Sequence, residues 1–514
     1  MRSIIVLLLV VLSLYGCQNR QDADGLLPGQ WSVKKANDWY AGQPWIVGCN
    51  FLPSTAINDV EMWQRESFDE KTIDKELALA HAWGMNSVRV FLNYVVWEYE
   101  PEVFKKNFKT FLDMAGKHGI SVMPILFDDC NFSGNIAKIG KQQEPVPGIH
   151  NSGWVSSPPR AMTTDPFALP NLKKYVQDMV KTFAKDKRII IWDLYNEPVN
   201  DNTTLVALTF EWAREMKPSQ PLTTCLWDNF NSEKSQMLID ISDIVSFHGY
   251  DANSGLEEKI RRCGETGRPV VCTEWLFRQG SNTPQNVLPL FKEHRVGAYN
   301  WGLMEGRTQT YMHWGSPKDA PKPRIWQHDL IRSDGTPYKQ AEFDFFRHII
   351  LGEPYIEESY GTEIILLPTS KEKPLSWKYS EKKPSANWYE TAFSDADWQT
   401  GDAPFGTKEP AIGRNPGTLW TSGEIWLRTT FDLTEEQVSK DGEIFLHTHF
   451  DENATVYING QLAAELPGFN AIYEEIALSP ESKQSLKAGK NTIAVSVTNK
   501  AGGQYFDMGL IKYD

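Results

Sequence analysis

The chain has 514 residues, 41% of them hydrophobic and 12% aromatic, enough for two or three domains with sizeable cores. Its 66 acidic residues outnumber 52 basic ones, giving a net charge of −14. Such a surface disfavours nucleic acid and anionic membrane faces as partners, and no basic cluster points to a polyanionic ligand.

At the N terminus, Met1-Arg2-Ser3 precedes an apolar run through Leu14, then Gly16-Cys17 and a polar stretch from Gln18. A charged start and a short hydrophobic core predict a secretory signal. The run falls short of the ~20 residues a membrane-spanning helix needs. A small residue directly before Cys resembles the bacterial lipoprotein box. The resemblance implies a signal peptide over residues 1–17, lipid modification of Cys17, attachment to a bacterial membrane and an extracytoplasmic location. Residues 18–30 are expected to act as a tether.

Apolar, strand-like runs then recur at residues 45–51, 87–92, 120–128, 189–195, 221–228, 243–250, 268–275 and 296–304. Between them lie helical periodicities. Leu172, Tyr175, Val176, Met179, Val180 and Phe183 share one face, as do Ile73, Leu77, Ala80 and Trp83. Eight strands alternating with helices predict an α/β fold, a (β/α)8 barrel over residues 31–352, with its active site at the carboxyl ends of the strands.

Two of these runs end on a glutamate. Ile190 to Asn196 delivers Glu197 just before Pro198, which has no N–H to continue a ladder, and Pro269 to Thr273 delivers Glu274. Both would open onto one rim, where two carboxyl groups facing each other are what glycoside hydrolysis requires. The segment 129–170 after the third run is long and rich in Gly, Pro and Ser. It is expected to wall off one end of the cleft, with Trp154 contacting sugar.

Five motifs in order give the barrel a family likeness: Asn86 to Val90, Trp192 to Pro198, Phe247 to Tyr250, Thr273-Glu274-Trp275 and Asn300-Trp301-Gly302. Together they resemble a clan A glycoside hydrolase of the cellulase-like family 5 group. The resemblance implies Glu197 as acid/base and Glu274 as nucleophile of a retaining reaction. It implies Asn196 on the sugar 2-hydroxyl, Arg89 and Tyr250 holding Glu274, His248 lining the site and Trp301 as sugar platform. One position departs from the family, which often carries a His just after the third strand. Here the chain reads Asp128-Asp129-Cys130.

Beyond Cys17 remain Cys49, Cys130, Cys225, Cys263 and Cys272, an odd number, so at least one is unpaired. No CxxC or Cys/His cluster suggests zinc, and paired glutamates need neither metal nor cofactor. Residues 338–351 read as a helix closing the barrel, before Gly352-Glu353-Pro354 breaks the pattern. From residue 356 to 514 the texture changes to short alternating strands, with Asn459-Gly460 as a hairpin turn, which predicts an all-β sandwich. Asp397-Trp398, Ala403 to Gly406, Trp426-Leu427-Arg428 and Val456 to Gly460 make it resemble the galactose-binding-like jelly roll of family 2 glycosidases. The resemblance leaves open whether the module is structural or binds glycan.

The reading is a glycosidase cleaving β-glycosidic bonds in plant-type or related polysaccharides or oligosaccharides by double displacement. An exo-acting β-glycosidase and a non-catalytic glycan-binding lipoprotein stay as alternatives. The sugar, the linkage and the oligomeric state are left open.

Overall fold

A computed structural model describes residues 25–513, except for 132–133, 200–201, 321, 324, 356–362, 409–414, 439–442, 452, 470–472 and 500–501. The signal segment, Cys17 and most of the tether lie outside the described residues. Among the described residues no helix is long and apolar enough to cross a membrane. The chain divides into two compact units between Tyr355 and Ile356.

In the first unit nine parallel strand segments ring a core: β1 (Val47–Asn50), β2 (Ser87–Phe91), β3 (Ser121–Asp128), β4 (Trp192–Asn196), β5 (Leu222–Thr223), β6 (Cys225–Leu226), β7 (Val245–His248), β8 (Val270–Trp275) and β9 (Gly297–Asn300). They pair in the order β5-β4-β3-β2-β1-β9-β8-β7-β6. The two ends of that order, β5 and β6, are halves of the single apolar run at 221–228, split at Thr224, whose hydroxyl donates to Tyr195 O at 2.8 Å. The ring is therefore carried round by the chain itself, and the fold is the (β/α)8 barrel expected of eight runs. Helices cover the outer face of the strands and side chains packed in the barrel interior cover the inner one, which is why the strands read as unbroken apolar runs.

The helices follow from local signals. One of them, α1 (Glu70–Ala82), starts where the Asp69 carboxylate accepts from Thr72 N. On α2 (Leu169–Phe183) the six apolar residues that share a face are the buried ones. The last barrel helix, α3 (Gln340–Leu351), ends at Gly352, whose φ of 74° is left-handed.

The second unit is antiparallel in the main, with twelve strands: β10 (Glu363–Leu367), β11 (Ser376–Ser380), β12 (Gln399–Asp402), β13 (Phe405–Gly406), β14 (Thr418–Leu419), β15 (Glu424–Leu433), β16 (Glu443–Asp451), β17 (Asn453–Ile458), β18 (Gln461–Leu466), β19 (Glu474–Ala477), β20 (Gly489–Thr498) and β21 (Tyr505–Tyr513). They form two six-stranded sheets, β12-β11-β15-β20-β17-β18 and β14-β13-β21-β16-β19 with β10 also on β21. Alternation drives the packing: Ala454, Val456 and Ile458 of β17 are buried and their neighbours are not. The turn from β17 to β18 is Asn459-Gly460, both at positive φ (49° and 84°), as a tight hairpin requires.

Candidate active site

The barrel strands end in polar residues, and there the site is built. Arg89 of β2 is fully buried and engages all five of its N–H donors. Nε and Nη2 donate to Asp193 Oδ2 at 3.0 and 2.8 Å, Nη2 also to Asn196 Oδ1 at 2.6 Å, and Nη1 to Asn50 Oδ1 at 2.8 Å and Glu274 Oε1 at 3.0 Å. One guanidinium thus fixes side chains from β1, β4 and β8. The other oxygen of Glu274 accepts from the Tyr250 hydroxyl at 2.9 Å.

Glu197 directly follows β4 in a left-handed conformation, φ 43°, which costs an ordinary residue on the order of 1 kcal/mol or more. Its N–H donates to Cys225 Sγ at 3.1 Å. The carboxyl turns toward β7, where His248 Nδ1 lies 2.9 Å from Glu197 Oε1 and 3.4 Å from Glu274 Oε2. One oxygen of each glutamate and an imidazole nitrogen all fall within 4.8 Å of one another. These three side chains have the spacing to ligate a cation, but Arg89 and Tyr250 already serve Glu274.

The glutamates line a cavity of about 380 Å³ together with Asn196, His248, Tyr250, Trp154 and Trp301. Such a volume suits a small ligand, and its aromatic walls offer stacking faces. Arg89 lies beneath it, out of contact with solvent.

A family model, cellulase (glycosyl hydrolase family 5), matches residues 48–306. The chain belongs to glycosyl hydrolase family 5. Membership makes it a glycosidase. Solved structures that this family 5 chain resembles include GH5_18 from Streptomyces cattleya in complex with GlcNAc, at 14% identity over 61% of this chain and 82% of that one, TM-score 0.43. Another is the exo-β-1,4-mannosidase Op5Man5 from Opitutaceae bacterium strain TAV5, at 18% identity over 60% and 59%, TM-score 0.43. A third is the family 5 mannosidase from Rhizomucor miehei, at 15% identity over 60% and 94%, TM-score 0.43. No curated protein matches the chain.

The two glutamates of this family 5 site differ in their partners and in their exposure. Burial raises Glu197 to about 7, against the Cys130 thiol and the more distant Arg89, which favour the carboxylate. Burial also pushes Glu274 up, as does the neighbouring Glu197. Burial drives His248 down to about 3, so it is neutral at physiological pH, and the fixed positive charge in contact with Glu274 is that of Arg89. Glu197 keeps a fifth of its side chain exposed and Glu274 only 7%, which leaves a water path to the former.

Several residues of the site had no role assigned to them from the sequence. Asp128 ends β3 fully buried, with Oδ1 accepting from Asn196 Nδ2 at 2.8 Å and Oδ2 from Trp154 Nε1 at 2.8 Å. Cys130, where the family often has His, lines the cavity with Glu197, whose carboxylate its thiol favours. Trp227 and Trp314 stand half-exposed at the cavity mouth. All five cysteines among the described residues are free.

Proposed function

We propose that the protein is a retaining β-glycosidase in which Glu274 is the nucleophile and Glu197 the acid/base. The observation that carries this is the approach of the two carboxyls to within 4.8 Å, with Arg89 on one of them and not on the other. An inverting enzyme needs about 6.5–9.5 Å between its carboxyls to seat a water, while a retaining one needs about 5–5.5 Å.

In the first step Glu274 attacks the anomeric carbon and the glycosidic bond breaks, its oxygen taking the Glu197 proton. A glycosyl ester on Glu274 and a free alcohol result. Glu197, now a carboxylate, takes a proton from a water that attacks the same carbon, and Glu274 leaves unchanged. A carboxyl raised to about 7 suits both halves, because it is protonated for the first and still a competent base for the second. Asn196 is held by Arg89 and Asp128 with one amide hydrogen left for the sugar 2-hydroxyl. Trp301 supplies the platform and His248 bridges the carboxyls.

The substrate class is a plant-type or related β-linked polysaccharide or oligosaccharide, met outside the cytoplasm by a protein anchored through a lipidated Cys17. The second unit serves structure more than binding. Its family 2-like motif residues are occupied in packing: Arg428 bonds Trp388 O, Glu390 O and Asp395, and Trp426 packs with Trp388 under the 385–398 segment.

The test is sugar release from β-glucans, mannan, xylan, arabinogalactan and aryl β-glycosides by protein from residue 18 onward, with Glu274→Gln as control. Release by the wild type alone, and labelling of Glu274 by an activated 2-fluoroglycoside, are the expected results. Binding of one of these glycans without release would turn the reading to a glycan-binding protein.

A further inference from the structure

Two long loops meet above one side of the barrel mouth. The first follows β3 and the second follows β9, and in the sheet order β2 and β1 lie between those strands. Over the ends of β1 and β2 the loops are hydrogen-bonded to each other. Asn151 N donates to Thr308 O at 2.8 Å, Gln309 Nε2 to Val146 O at 2.7 Å, Gly148 N to Gln309 Oε1 at 3.1 Å and Asp319 N to Pro147 O at 2.7 Å. His150 Nδ1 is 3.0 Å from Met312 O, and Arg307 Nη1 donates to Glu144 at 2.9 Å. At Gly148 the backbones come so near that a Cβ would stand 2.4 Å from Ala320 N, so glycine is required there, also by its φ of 82°.

Below this strap stands an aromatic wall. Trp154 meets Phe91 edge to face at 5.0 Å and Trp301 at 5.8 Å, and its indole N–H is tied to Asp128. Behind the Trp154–Trp301 pair is a void of about 30 Å³, room for water and not for a sugar ring. The opposite side of the cavity is different. There Trp227, bonded through Nε1 to Pro198 O beside Glu197, is 36% exposed.

Acid catalysis gives these two sides their chemical meaning. The leaving oxygen must lie at Glu197, so the leaving group extends along the open Trp227 side. The sugar attacked by Glu274 lies on Trp301, and any further sugar on its non-reducing end would run into Trp154 and the strap. We infer that the interlocked loops limit the glycone side to a single sugar, so the protein removes one terminal residue at a time from the non-reducing end of β-linked chains. This rests on the assignment of Glu197 and Glu274 above.

The test uses reducing-end-labelled gluco-, manno-, xylo- and galacto-pentasaccharides, each also with the terminal non-reducing ring capped as a cyclic ketal or, for the xylo-series, an O-methyl ether. Aryl β-monoglycosides serve alongside. The wild type should shorten the labelled chain by one residue per event and should act on the capped chains at least about 100-fold more slowly, because the cap meets a packed wall. The double variant R307A/Q309A, which unfastens the strap without touching the cavity, should reduce that discrimination about tenfold or more. Early two- or three-residue fragments, or capped chains cleaved as fast as free ones, would overturn the single-sugar inference and leave the glycosidase reading intact. Discrimination unchanged in the double variant would remove the strap as its cause. No hydrolysis of any substrate, aryl glycosides included, would bring down the catalytic assignment and this inference with it.

Discussion

Arg89 reaches Glu274 through one Nη1–H bond of 3.0 Å while its remaining donors hold Asp193, Asn196 and Asn50. The ion pair is therefore the visible end of a buried network. It places a positive charge on one carboxyl and sets the direction of the amide beside the other. A lysine has three donors on one nitrogen and cannot copy the planar fork.

Arg89→Lys is expected to lower kcat/KM about 1,000-fold or more, and to destabilise the barrel by about 3–5 kcal/mol because Asp193 keeps its charge in a dry site without a matched partner. Steady-state kinetics and a thermal melt on the same preparation check both. A variant with wild-type stability and low activity would separate the catalytic from the structural contribution. Wild-type activity would show that Glu274 does not depend on Arg89.

Asp128 joins the amide of Asn196 to the indole of Trp154, one carboxylate oxygen to each. In Asp128→Asn one of those acceptors becomes an NH2 and faces another donor. A drop of about 10- to 100-fold in kcat/KM is expected for substrates with a 2-hydroxyl, and a drop of no more than about threefold for their 2-deoxy analogues, which cannot use Asn196. Equal losses on both would mean that Asp128 acts on folding and not on the 2-hydroxyl contact.

Activity should follow a bell in pH. Glu197 must be protonated to act as an acid and is raised to about 7 by burial, so kcat/KM falls as pH rises through about 7. Glu274 must be ionised, so activity also falls on the acid side, and the two limbs belong to the coupled pair. The Cys130 thiol favours the Glu197 carboxylate. Cys130→Ala should accordingly move the alkaline limb upward, by a few tenths of a unit. A limb that stays in place would show that the thiol does not bond Glu197 in solution.

The barrel was legible because its strands are buried on both faces, which turns each into an apolar run, and because a polar residue at the end of such a run stands out. The places of Glu197 and Glu274 in the cavity lining were legible that way, and that of Trp154 by the length of its loop. The split of the fifth run at Thr224 was not legible, since Thr fits a strand as well as a break. Nor was the strap: Asn151 and Pro147 meet Thr308 and Asp319 through backbone groups, and backbone bonding between distant loops leaves no side-chain pattern. Asp128 stood out only as a departure from the family, and its bonds to Asn196 and Trp154 were not legible because Asp128-Asp129 after a strand reads as an ordinary turn. Trp227 and Trp314 have neighbours no different from those of a core tryptophan.

The stability of the barrel should decline from mildly acidic to mildly alkaline pH, the reverse of a protein held by paired surface carboxylates. Burial raises Asp59, Glu76 and Asp329 each to about 7, and Glu197 with them. Between the unfolded value, about 4 for such groups, and 7 the folded chain binds more protons than the unfolded one. The contribution of these groups is thus complete below the unfolded value and is lost as pH rises through 7. Asp59 offers the cleanest probe. Its Oδ2 accepts from Asn93 Nδ2 at 3.0 Å, a bond that the oxygen of an amide can still accept. Urea midpoints at pH 5.5 and 8.0 are expected to be higher at pH 5.5 for the wild type, with the gap narrowed in Asp59→Asn. A gap of the same size in both proteins would mean that Asp59 does not titrate in this window, and that the pH dependence belongs to the other carboxyls.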